Sequence, residues 1–161
     1  MSETVIEFHT HAKVVDEEKR KGGTSKKMPS WDRIFYGNFV INVAGDEFGN
    51  VDCGLSLTST FISALKKILF DASDLEIITF LESVHSIGIR PAGADGRVEL
   101  SSANYQEKLF KEGSVVSAPV SIIKLTNAVS AEHLRLFRIA SDVYSEMSFQ
   151  AKNISLLKMI D

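Results

Sequence analysis

The chain has 161 residues, 44% hydrophobic and 24% charged, which suits a core built without metal or disulfide staples and excludes a disordered polymer. A net charge of -3 gives no general electrostatic footprint for nucleic acid or an anionic membrane, so neither is expected as a partner. Cys53 is the sole cysteine, which excludes an intramolecular disulfide; no basic start followed by an apolar stretch opens the chain, and no apolar run approaches the roughly 18 to 20 residues that a bilayer requires, so a cytoplasmic protein is expected.

In chain order, residues 4–15 read as a first strand with Ile6, Phe8, Thr10, Ala12 and Val14 on one face. Residues 16–30 are charged, carry Gly22, Gly23 and Pro29, and read as a mobile loop leading to Trp31. From Phe35 the alternation of Phe35, Gly37, Phe39, Ile41 and Val43 with Tyr36, Asn38, Val40 and Asn42 predicts a strand with one buried face. A turn over residues 45–50 and renewed alternation at Val51, Cys53, Leu55 and Leu57 complete a hairpin. Ser56, Thr58 and Ser59 offer an N-cap for a helix that places Phe61, Leu65, Ile68 and Leu69 on one face.

Residues 76–84 and 85–90 are β-rich, the Asp95-Gly96 pair signals a turn, and residues 97–101 are expected to pair back. Residues 120–125, bounded by Pro119, read as a further strand. Ser130 then caps a second main helix, with Glu132 in its first turn and a stripe of Phe137, Ala140, Tyr144, Met147 and Ala151, widened by Leu136 and Val143. The expected architecture is a single globular α+β domain over residues 1–161, a mostly antiparallel sheet packed against two main amphipathic helices.

His9 and His11 have the spacing that puts two imidazoles on one strand face and are the candidate metal ligands, although a metal site needs at least one more donor. The bland reading is a solvent-facing strand, with His133 on the surface of its helix and His85 at a strand end. The Gly22 to Lys27 stretch lacks the spacing of a phosphate loop, and no serine sits in a Gly-X-Ser-X-Gly motif. Cys53 reads as a small buried hydrophobe in phase with Val51 and Leu55. No catalytic residue and no cofactor are therefore assigned. The carboxylates Asp46, Glu47 and Asp52 around the hairpin, with Glu76 and Glu82 flanking residues 77–81, are either solvated turns and strand ends or a surface that steers a cationic protein partner.

The runs Tyr36-Gly37-Asn38-Phe39-Val40-Ile41-Asn42-Val43, Ser56 to Leu65 and Phe80-Leu81-Glu82-Ser83 resemble bacterial immunity proteins of polymorphic-toxin and contact-dependent growth-inhibition systems over roughly residues 35–101. The resemblance implies a non-catalytic protein of bacterial competition that binds one cognate toxin, often a nuclease, and blocks its active site or substrate access. It carries over no catalytic residue, and the basic residues within 16–30 depart from a purely acidic binding face. The alternatives are a small metal-dependent enzyme using His9 and His11, and a phage-type inhibitor.

Overall fold

The computed structural model describes residues 5–20, 33–80, 85–93, 96–104 and 115–144. Among these, β1 (Ile6–Thr10), β2 (Tyr36–Val43) and β3 (Asp46–Cys53) form one antiparallel sheet in the order β1-β2-β3. The second sheet is also antiparallel. It runs β4 (Glu76–Thr79), β5 (His85–Pro91), β6 (Arg97–Asn104), β7 (Val115–Val116), with β8 (Val120–Ser121) also paired to β6. Three helices, α1 (Ala12–Arg20), α2 (Gly54–Phe70) and α3 (Ile122–Val143), complete an α+β fold with two sheets where one was expected. α2 touches both sheets and α3, so the two sheets share a core. No helix of the described residues is long and apolar enough to cross a membrane.

The alternation predicted for β2 holds: Phe39, Ile41 and Val43 are buried, while Tyr36, Asn38 and Val40 are exposed. Opposite them Ile6, Phe8 and Phe48 join the same inner face, where the Phe8 ring stands edge-on to Phe61 of α2 with centroids 5.5 Å apart. The hairpin turn is two residues, not six. Ala44 (φ 54°) and Gly45 (φ 95°) are both left-handed, the geometry whose twist matches that of the flanking strands, and the Asn42 side chain accepts the Gly45 N–H at 3.0 Å. Residues 46–50 therefore belong to β3, with Phe48 opposite Ile41.

Four other expectations are corrected. The strand read over residues 4–15 stops at Thr10, because Val14, Val15 and Glu18 are spaced to bury one side of a helix whose other side is charged. α1 thus takes residues 16–20 out of the expected loop, while residues 21–32 lie outside those described. Leu55 and Leu57 belong to α2, which begins at Gly54, and its hydroxyls bond backward along the helix: Thr58 donates to the Gly54 carbonyl at 2.8 Å and Thr60 to Ser56 at 2.9 Å. The strand read over residues 120–125 is cut at Ser121, which caps α3 by accepting the Lys124 N–H. Residues 122, 125, 129, 132, 136 and 140 form a continuous buried stripe, so Ser130 and Glu132 lie mid-helix. Met147 and Ala151 fall outside the described residues.

Candidate protein-interaction face

Buried ionisable groups are tied to the scaffold. Glu132 (6% exposed) on α3 accepts the Thr10 N–H at 3.0 Å and is gripped by Arg135 through two hydrogen bonds, of 2.9 and 2.6 Å. It therefore occupies a main-chain donor at the end of β1, an edge strand among the described residues. Burial works to raise its pKa, but the Arg135 hydrogen bonds and charge, together with Thr10, outweigh burial and leave it lowered. The same pairing raises Arg135.

His133 is 1% exposed, not on the surface as the sequence suggested. Its Nδ1 lies 2.7 Å from Thr58 Oγ1, and burial pushes its pKa down to about 4, so the ring is neutral at physiological pH. The Thr58 hydroxyl also lies 2.8 Å from the Gly54 carbonyl, and which of Thr58 and His133 donates in their shared hydrogen bond follows the imidazole tautomer. A third link is Glu18, 2% exposed, which accepts the Phe35 N–H at 3.1 Å and the Tyr144 hydroxyl. Burial first, and then the Glu18 contact, raises the Tyr144 pKa. Phe35 has a φ of 59° and its carbonyl accepts the Gly54 N–H, so both of its main-chain polar groups are held while the chain turns into β2.

That turn sends Phe35 into the core and Tyr36 outward. Tyr36 (49% exposed) and Val40 (36%) lie on the open face of the three-stranded sheet, whose pairing fixes what stands beside them. Glu7, Asn42 and Glu47 make one row across the sheet; His9 and Val40 sit in the next. Asn38 and Tyr36 follow toward the other end, about 20 Å from Asn42 to Tyr36 at the usual strand rise. The face ends in an open groove of about 340 Å³ between α1 and the start of β2, lined by His11, Lys13, Val14, Glu17, Tyr36, Gly37 and Asn38.

Of the expected partner-binding carboxylates, Asp46 and Glu47 lie at the hairpin tip, Asp46 half-buried and Glu47 exposed. Asp52 is buried (6%) at the far end of β3 opposite Gly37, so it does not join them. Glu76 is on the other sheet, half-buried, 3.5 Å from Lys67 and accepting from Ser73 Oγ at 2.7 Å. Glu82 and the side chains of Cys53 and His85 lie outside the described residues.

His9 stands on the outward phase of β1, and His11 lies one residue past its end, donating its N–H to the Asn38 carbonyl at 3.2 Å. His9 is exposed beside Glu7 at 3.5 Å, a pair that contributes little in open solvent. His11 follows the end of β1 and caps α1: its Nδ1 accepts the Lys13 N–H and its carbonyl accepts Val14 N–H. Among the described residues no group of three or more His, Cys, Asp or Glu side chains is placed to hold a metal ion.

Glu7, Tyr36 and Val40 were not singled out as binding residues. The signal was present in part, since an aromatic and a valine stand on the outward phase of β2, but Glu7 joins them only through the β1–β2 register. Other exposed apolar side chains include Leu75 and Ile77 at β4, Phe70 at the end of α2, Val5, Val116 and Ile123. Searches against family models, curated proteins and solved structures found no match to this chain.

Proposed function

We propose that this chain is a non-catalytic protein-binding module of the immunity type, which takes one cognate toxin on the open face of β1-β2-β3 and blocks its active site or substrate access. The observation that carries the reading is the pairing of two exposed apolar anchors, Tyr36 and Val40, with a carboxylate row, Glu7 and Glu47, on a single sheet face. Tyrosine supplies much contact area at small entropic cost and is enriched among residues that dominate binding energy. The carboxylates favour a cationic partner and accelerate its encounter. A nuclease fits, because a surface built to hold phosphates is itself basic.

The resemblance of residues 36–43 and 56–65 to immunity proteins supports the same reading, under which the protein would act in the cytoplasm of a competing bacterium. The alternative of a metal enzyme built on His9 and His11 is less favoured, because no third donor is grouped with the pair among the described residues. A phage-type inhibitor would use the same face, and the neighbouring genes separate the two.

The test is co-expression with the product of an adjacent toxin-like reading frame. Growth arrest should be relieved by the wild-type chain and not by Tyr36→Ala. Relief that is equal in both would sink the assignment of this face, and turnover of any substrate by the isolated protein would sink the non-catalytic reading.

A further inference from the structure

The groove at the end of the open face is built from two elements held at a fixed spacing. A Cβ placed on Gly37 would come within 2.1 Å of Val14 Cγ2, so α1 rests directly on the β2 backbone and the groove walls cannot drift apart without losing that contact. Glu17 contributes a carboxylate from α1, and Tyr36 and Asn38 line the groove from β2. Lys13 stands one helical turn before Glu17, with the lysine N-terminal, the weaker order for an i,i+4 pair, and no ion pair joins them among the described residues.

We propose that this groove receives the guanidinium of an arginine side chain presented by the partner; the proposal rests on the reading of the open face as a site for a cationic protein. Guanidinium is planar, so it stacks on the Tyr36 ring, and its forked N–H groups match the Glu17 carboxylate two at a time. The Asn38 side-chain carbonyl accepts a remaining N–H. About 340 Å³ suits one side chain and not a folded segment. Lys13 is exposed on a flexible stem, and its ammonium swings aside when a second cation enters. The acidic row 20 Å or so away steers the partner, and the groove then fixes its register.

The full chain is titrated by amide NMR at constant ionic strength with methylguanidinium chloride, methylammonium chloride and sodium phosphate in separate series. Methylguanidinium should give saturable shifts centred on Gly37, Asn38 and α1, and methylammonium weaker ones. Glu17→Gln should weaken the site roughly tenfold, the loss expected when a charge-assisted hydrogen bond is removed. Lys13→Gln should strengthen it, and Tyr36→Phe should retain binding that Tyr36→Leu loses. No saturable shift, equal response to both cations, or a phosphate site abolished by Lys13→Gln would each overturn the proposal. A saturable guanidinium site in a chain that relieves no toxin would leave the groove assigned and refute the immunity reading; a captured partner that is weakened by Tyr36→Ala but indifferent to Glu17→Gln would refute the groove alone.

Discussion

Lowering the pH should destabilise this fold through His133. The imidazole is 1% exposed and its pKa falls from 6.5 to about 4 on folding, because burial penalises the charged ring. Below pH 6.5 the unfolded chain binds a proton that the folded chain refuses, so stability is complete above 6.5 and declines as pH falls toward 4. At 1.36 kcal/mol for each pKa unit, the loss across that window is about 3 kcal/mol, a sizeable share of the roughly 5 to 15 kcal/mol that holds an ordinary domain. Urea midpoints measured at half-unit steps from pH 7.5 to 4 would follow it. The difference between wild type and His133→Gln isolates this one group, because Glu132, whose pKa is lowered from 4.5, loses its contribution only below that pH. A His133 ring signal that titrates near 6.5 by NMR, or equal pH slopes in the two proteins, would refute the reasoning.

Glu18→Gln should cost about 1 to 3 kcal/mol, since the carboxylate accepts both the Phe35 N–H and the Tyr144 hydroxyl inside the core, and a double-mutant cycle with Tyr144→Phe should show coupling. Gly54→Ala should destabilise despite alanine's better helix propensity: the added Cβ would lie 2.8 Å from Leu136 Cδ1 and 2.9 Å from Phe39 Cε1, and thermal melts would read the overpacking at about 1 to 3 kcal/mol. Reversal of Glu7 and Glu47 to lysine should slow association with the partner about tenfold or more in stopped flow at low salt, while the unfolding free energy changes by no more than about 0.5 kcal/mol for each substitution.

The strand-turn-strand-helix core of residues 35–69 was legible because Phe39, Ile41 and Val43 alternate without exception and Phe61 and Leu65 keep helical spacing. Local chemistry misled where two signals overlapped. Val120, Ile122 and Ile123 are β-branched and follow Pro119, yet the stripe from Ile122 through Leu125 and Val129 already has helical period, and packing against α2 decides for the helix. Residues 12–15 continue the alternation of β1, but Glu18 finds buried partners on Phe35 and Tyr144 only if α1 forms. Those partners are 17 and 126 residues away, a distance no local pattern encodes. The same holds for His133, whose partner Thr58 is 75 residues distant, and for the interaction face, which exists only once β1 pairs with β2.

The central claim is that binding occurs on the open face of β1-β2-β3. Affinity for the protein partner that the wild-type chain captures, measured by calorimetry for wild type, Tyr36→Ala and Ile77→Asp, tests it most directly. Ile77 is exposed on β4 of the other sheet and serves as the comparison surface. Tyr36→Ala should weaken binding roughly 30-fold or more, the cost of about 2 kcal/mol that a central tyrosine carries, in a chain that remains folded by circular dichroism, with Ile77→Asp at wild-type affinity. Full affinity in Tyr36→Ala together with a large loss in Ile77→Asp would move the interface to the second sheet and contradict the account.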